Sequence, residues 1–283
     1  MAALAERASE GIAPPRRRMT GPLGVSIWRW VVLIVTAVYF LLPLWAALRF
    51  AGIGAFGAVV GEGGFTSSLA LSVRLAVITT LLTIALILPT AVYVHLRLPK
   101  LRRLLEGITI LPIVIPPVVL IVGVLAIAPG VLKGTSLLLA LVYVVLAMPF
   151  AYRAIDAGLR ALDLKTIVEA SNSLGAGWRS TLWRVILPNL RTALLSATVL
   201  TVALVLGEFT IASLDLYQTF PVWIVNFEQS SGPVSVAASL LALIVTWIFL
   251  MVIATLGNRR SGKAGGSAVT LFSVSRRDIG GSE

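Results

Sequence analysis

The chain has no cysteine, one histidine and only 12 acidic residues among 283, and charged residues of either sign make up just 12%. Without cysteine there is neither a disulfide framework nor a thiolate metal site. With a single histidine, His95, and neither H-E-x-x-H nor G-x-S-x-G, hydrolytic and metal chemistry lack a constellation, so no catalytic residue and no metal are expected. A near-match to a phosphate loop, Gly257 through Ala264, ends in Ala where Ser or Thr must reach Mg²⁺, and it follows an apolar run instead of a strand. His95 sits at a helix edge and is expected to be interfacial. Charge is too sparse for a soluble surface, because 58% of the residues are hydrophobic.

What fills the chain instead is apolar runs. A helix crossing a hydrocarbon core of about 30 Å needs roughly 20 mostly apolar residues. Six runs meet or approach this, at 28–48, 69–95, 107–128, 135–155, 190–213 and 235–257. They are continuously apolar, not short and alternating, which excludes a β-barrel. The fold class expected is all-α, a polytopic membrane protein with six transmembrane helices.

The net charge of +11 is distributed by topology. Placing the N-terminus inside leaves only Arg49, Arg74 and Lys133, of 23 Lys and Arg, on the outer side. That bias predicts both termini in the cytoplasm. No basic patch interleaves with aromatics on a soluble domain, so no nucleic acid is expected. Residues 1–27 and 258–283, rich in small and basic residues, are expected to be disordered cytoplasmic tails flanking a membrane domain at 28–257. The first run, edged by Trp28, Trp30 and Trp45, is too long for a cleaved signal segment. The Gly-rich stretch 49–68 reads as an outer loop. Pro112, Pro116 and Pro117 fall inside the third run, where each removes or distorts backbone hydrogen bonds; they either kink a packed helix or shape a pathway.

One stretch of about 34 residues, 156–189, interrupts the apolar pattern with three carboxylates, four cations and Ser, Asn and Gly. Thr166 with Glu169 fits a capping box. Leu164, Ile167, Val168, Ser171 and Leu174 recur at helical spacing. Gly175 and Gly177 break that helix, a second begins near Trp178 with Leu182, Val185 and Ile186 on the same side, and Pro188 ends it. Two short helices at a bend, with an apolar stripe and no lipid to meet, call for a protein partner.

The segment resembles the EAA loop of ATP-binding-cassette importer permeases: Glu-Ala-Ala, three residues, Gly, nine residues, Ile, one residue, Leu-Pro. Here it reads Glu169-Ala170-Ser171, Gly175, Val185, Ile186, Leu187-Pro188, with Ser171 in place of the second Ala and Val185 in place of Ile. The likeness extends over about 65–257. It implies a type I permease whose loop docks on a separate nucleotide-binding ATPase, present as a dimer, which binds ATP and Mg²⁺. It also implies a solute-binding protein and a second homologous permease, in a heterodimer ahead of a homodimer, all in the bacterial inner membrane and its lipid. No cofactor is expected in this chain. As single residues, Glu169, Gly175 and Pro188 need be no more than caps and stops; their joint spacing is what the resemblance explains.

Arg74 and Glu208 are the two ionisable residues inside the runs, both near the outer interface; they are expected to snorkel outward, to pair in at least one state, or to serve as a gate or substrate contact. The stretches "LGEFTIASL" and "YQTFPVWIVNFEQ" loosely resemble permeases of polyamine and related phosphonate, sulfate or molybdate, and iron importers. A polyamine such as spermidine or putrescine is the substrate expected first. A secondary transporter would want more intramembrane carboxylates or an inverted repeat; a membrane scaffold recruiting a partner through 156–189 is the other remote reading.

Overall fold

The computed structural model describes residues 22–228 and 231–259, with side chains for 27–227 and 231–255. The described residues are helical, with no strand. In order they form α1 (Pro22–Gly61), α2 (Phe65–Arg97), a 3₁₀ turn (Pro99–Leu101), α3 (Arg102–Val114), α4 (Pro117–Ile127) and α5 (Ser136–Arg160). There follow α6 (Leu164–Ser173), α7 (Trp178–Thr181), a π turn (Leu182–Ile186), α8 (Leu187–Asn189), α9 (Arg191–Gly207), α10 (Thr210–Leu214), α11 (Phe220–Glu228) and α12 (Gly232–Arg259).

The all-α expectation holds, and four helices are long and apolar enough to cross a membrane, or six if each of two bent pairs is one span. The boundaries differ in instructive ways. α1 begins at Pro22 and runs to Gly61, so most of the expected outer loop 49–68 is helical; it is interrupted by Gly52, at φ 70, a conformation open to glycine. The third run is not one helix: α3 and α4 meet at 99°. Ile115 is extended, and Pro116 and Pro117 offer no amide to continue the ladder, so the break falls where two consecutive donors are missing. Pro112 lies buried inside α3. α5 continues to Arg160, so Asp156 belongs to a helix and not to the polar loop. The fifth run ends at Gly207, and residues 210–214 form a separate turn of helix. The disorder expected of the two tails lies outside the described residues, apart from 22–27 and 258–259, which are helical; most of the near-phosphate-loop motif lies outside them too.

The chain divides into two compact units, Met1–Arg49 and Phe50–Glu283. In the first, residues 27–49 of α1 are mostly apolar and exposed, and the Arg49 guanidinium stacks over the Trp45 ring at 5.2 Å.

In the second unit α2, α5 and α9 pack on one another, α3 lies on α5, and α12 lies on α9 and α11. Small residues make this possible. α2 buries Ser68, Ser72, Ala76, Thr79, Thr80 and Thr83, while α9 contributes Ala193 and Ala197, letting backbones approach as membrane helices do. Gly158 is the tightest point, since a Cβ there would collide with the Ala193 side chain of α9. Around this seam one buried cluster joins Ile87, Ala91 and Val92 of α2 to Tyr152, Ile155 and Leu159 of α5, and to Leu164, Ile186 and Leu190 of the polar segment.

Candidate functional site

The polar segment folds as an elbow. α6 starts where Asp163 caps it: Oδ1 accepts from the Thr166 amide at 3.3 Å and Oδ2 from the Thr166 hydroxyl at 2.7 Å. Those bonds, the hydroxyl first, hold the Asp163 carboxyl below its usual range. The capping box expected of Thr166 and Glu169 is therefore displaced, because Asp163 takes the cap three residues earlier. Glu169 is left exposed on the second turn, with Lys165 Nζ 4.0 Å away.

α6 ends in a Schellman motif. The Ala176 amide donates to Ser171 O at 3.1 Å and the Gly175 amide to Asn172 O at 2.9 Å, with Gly175 at φ 77. Gly177 is extended and precedes α7. The two arms are joined by a buried bond, Ser171 Oγ to Thr181 Oγ1 at 2.8 Å, and Thr181 Oγ1 donates onward to Gly177 O at 3.3 Å. Ser171, which departs from the Ala of the motif, thus has a partner on the opposite arm.

Pro188 does not stop the second arm as expected. The backbone widens to a π turn at Leu182–Ile186, which relieves the proline ring of the clash it would meet in a regular helix, and Leu187 stays helical. The turn ends at Leu190, where the arm meets α9 at 71°.

The expected apolar stripe is present but faces inward. Leu164 is buried, and Val168, Leu182 and Leu187 pack on the same core. Val185 is half-buried. Leu174 leaves the stripe, because α6 has ended, and is 88% exposed. The surface offered outward is Glu169, Ala170, Leu174 and Gly175.

Beneath the elbow lies an ionic hub that sequence reasoning missed. Asp156, on α5 and buried, receives Arg160 Nη2 at 2.6 Å and Arg102 Nε at 3.1 Å. His95 Nε2 lies 3.2 Å from the same carboxylate, off the line of a formed hydrogen bond, while Nδ1 donates to Ala91 O at 2.9 Å. Arg160 also reaches Glu106 at 3.6 Å. The hub binds the ends of α2, α3 and α5 together. Only the i,i+4 spacing of Asp156 and Arg160 was visible in the sequence.

At the other end of α9, Glu208 is buried. Its carboxylate accepts from the Ile211 amide at 3.0 Å, the Ala212 amide at 3.3 Å and the Tyr143 hydroxyl of α5 at 3.2 Å. The expected Arg74–Glu208 pair is not formed: three donors occupy the carboxylate, and Arg74 is exposed on α2 without an ion pair among the described residues. Beyond it the chain is tied back to α2 by Phe220 N donating to Ser72 Oγ at 2.7 Å. An apolar cavity of about 670 Å³ opens between α2, α9, α11 and α12, lined by Ser72, Gly207, Phe220 and Thr246 among others. None of Arg74, Pro112, Pro116, Pro117 or Glu208 lines it.

Apolar helices, two pairs of them bent, pack around a small-residue seam, with a polar elbow leading into α9. Residues 85–263 match the family described as binding-protein-dependent transport system inner membrane component, and the chain belongs to it. It is an ATP-binding-cassette importer permease, a transport subunit and not an enzyme; ATP is hydrolysed by a separate ATPase.

Among its relatives, the molybdenum transport system permease protein ModB of Mycobacterium tuberculosis is 28% identical over 252 residues, covering 82% of this chain and 95% of that protein. The sulfate transport system permease protein CysW of Synechococcus elongatus is 33% identical over 110 residues, covering 36% and 38%. The ferric transport system permease protein FbpB of Actinobacillus pleuropneumoniae is 38% identical over 101 residues, 35% of this chain and 15% of that protein.

Proposed function

We propose that this permease carries a tetrahedral oxyanion of the molybdate or sulfate kind, and that the elbow couples its spans to the ATPase. The observation that carries the substrate reading is the likeness to a molybdenum permease over nearly the whole of both chains. A polyamine, the substrate the sequence first suggested, is named by none of the relatives given above. Its one intramembrane attraction, Glu208, is spent on Tyr143 and two amides. Coupling is assigned to Glu169, Ala170, Ser171, Gly175, Val185, Leu187 and Pro188. Glu169, Ala170 and Gly175 meet the ATPase, while Ser171, Val185, Leu187 and Pro188 hold the elbow's shape. The ATPase dimer binds the ATP and Mg²⁺, a second homologous permease completes the pathway as a heterodimer, and a binding protein delivers the solute. The excess of basic residues in the tails and the elbow supports a cytoplasmic location for both termini and the elbow.

The test is uptake by proteoliposomes containing the full assembly. Molybdate and sulfate accumulate when ATP is supplied, each competing with the other, and spermidine and ferric ion do not. Accumulation of spermidine with no molybdate uptake overturns the oxyanion reading.

A further inference from the structure

The second arm of the elbow carries chemistry that the coupling role does not use. Trp178–Asn189 contains two tryptophans, two arginines and no carboxylate. Trp183 is 67% exposed and Trp178 49%. Arg179 and Arg184 are also exposed and make no ion pair among the described residues. The acidic groups of the elbow, Asp163 and Glu169, are both on the first arm.

Geometry gives these side chains a setting. The second arm meets α9 at 71°, so when α9 crosses the bilayer the arm runs close to the plane of the interface. Its inner side is fixed by Ile186 and Leu182 in the core cluster. The two indoles and the two guanidinium groups remain exposed around the rest of the arm. Indoles settle at headgroup level, where an apolar ring meets hydrocarbon and its N–H meets water or ester oxygen. Guanidinium groups there face the negative potential of an anionic leaflet.

We propose that Trp178, Arg179, Trp183 and Arg184 form a binding surface for the anionic phospholipid headgroups of the bilayer, which holds the second arm at the interface while the first arm projects away from it. Phosphate accepts from the two guanidinium groups, and the two indoles lie among the first acyl carbons. The elbow is then an element with one arm anchored to lipid and one arm free to meet protein. The proposal goes beyond the coupling role and does not depend on it.

The absence of cysteine makes the test direct. Trp183→Cys or Trp178→Cys, in the full chain, carries a single spin label in nanodiscs of phosphatidylcholine with or without phosphatidylglycerol. Leu174→Cys at the elbow tip is the control. Labels at 178 and 183 collide more with oxygen, which partitions into lipid, than with an aqueous nickel chelate, and the order reverses at 174. In the unlabelled protein, Arg179→Gln and Arg184→Gln each lower the phosphatidylglycerol retained in native mass spectrometry roughly fivefold. These substitutions leave the core untouched, so the fold is preserved. Labels at 178 and 183 that meet nickel freely in both discs overturn the proposal. So do labels shielded only when the ATPase or the second permease is added, which would make the surface a protein contact, and so does unchanged lipid retention in the glutamine variants.

Discussion

At the elbow and at the far end of α9 the chain breaks a helix over a carboxylate, yet the two breaks are built for different ends. Asp163 caps α6 in the open, bonded only to Thr166, its own neighbour along the chain. Glu208 caps the turn into α10 while buried, and it draws its third donor, Tyr143, from another span. A solvated cap holds a helix in place and leaves the surrounding surface to a partner. A buried cap joins two spans and leaves nothing to bind. Glu169 and Asp156 repeat the contrast within one region: the first is exposed, with only a long contact to Lys165, and the second is enclosed by Arg102, Arg160 and His95. Among these four, the buried carboxylates join helices, and the exposed Glu169 is left to a partner.

The sharpest way to break that division is to remove the buried carboxylates. Asp156→Ala leaves the guanidinium groups of Arg102 and Arg160 facing an empty position and should destabilise the protein by about 2–3 kcal/mol. This is short of the effect of a fully buried pair, because Arg102 and Arg160 keep part of their solvent. Thermal unfolding in detergent reads it directly. Glu208→Gln should cost about 1–2 kcal/mol, since the amide still accepts but loses the charge that strengthens three bonds. Tyr143→Phe should cost about 1 kcal/mol. An additive double variant would show that the Tyr143 bond is weaker than its 3.2 Å distance implies.

Substitutions at the exposed elbow should separate stability from transport. Gly175→Val has open space for its side chain and suffers only from the left-handed backbone, about 1–2 kcal/mol, so the elbow distorts while the bundle stays folded. Glu169→Lys should change stability by less than about 0.5 kcal/mol, because its only partner is a distant lysine on an exposed face. ATP-driven uptake should nevertheless fall in both, measured against equal amounts of inserted protein. The smallest effect concerns acid. The carboxyl of Asp163 titrates below its ordinary 3.8 when folded, so its capping contribution is complete above 3.8 and is lost as pH falls through the lower folded value. Asp163→Asn should remove this acid-dependent component, so that helix stability no longer changes with pH through this range, as followed by circular dichroism.

Much of this was legible in sequence wherever local chemistry decides the outcome. Apolar length indicated the runs and Gly175 marked the end of α6, while the prolines of the third run signalled a kink where the chain in fact parts into α3 and α4. The shortfalls share a cause, which is that tertiary partners select among local options. Thr166 with Glu169 fits the Ser/Thr-x-x-Glu pattern, yet Asp163, three residues earlier, takes the cap. Pro188 would normally close a helix, but a π turn absorbed it in a segment fastened to the core by Ile186. The Arg74–Glu208 pair followed from equal depth, whereas pairing depends on helix rotation, and rotation brought Tyr143 to Glu208. The Asp156 hub joins three helices over long sequence separations, so no window along the chain contains it.

Coupling requires the first arm of the elbow to meet the ATPase, and a photo-crosslinker on Ala170→Cys tests that contact. The chain has no other cysteine, so the probe occupies one position. In membranes containing the complete importer, the account predicts a covalent adduct between Ala170→Cys and the ATPase subunit, together with loss of ATP-driven uptake after illumination. A complete importer that transports normally, with no ATPase adduct at this position, would contradict it.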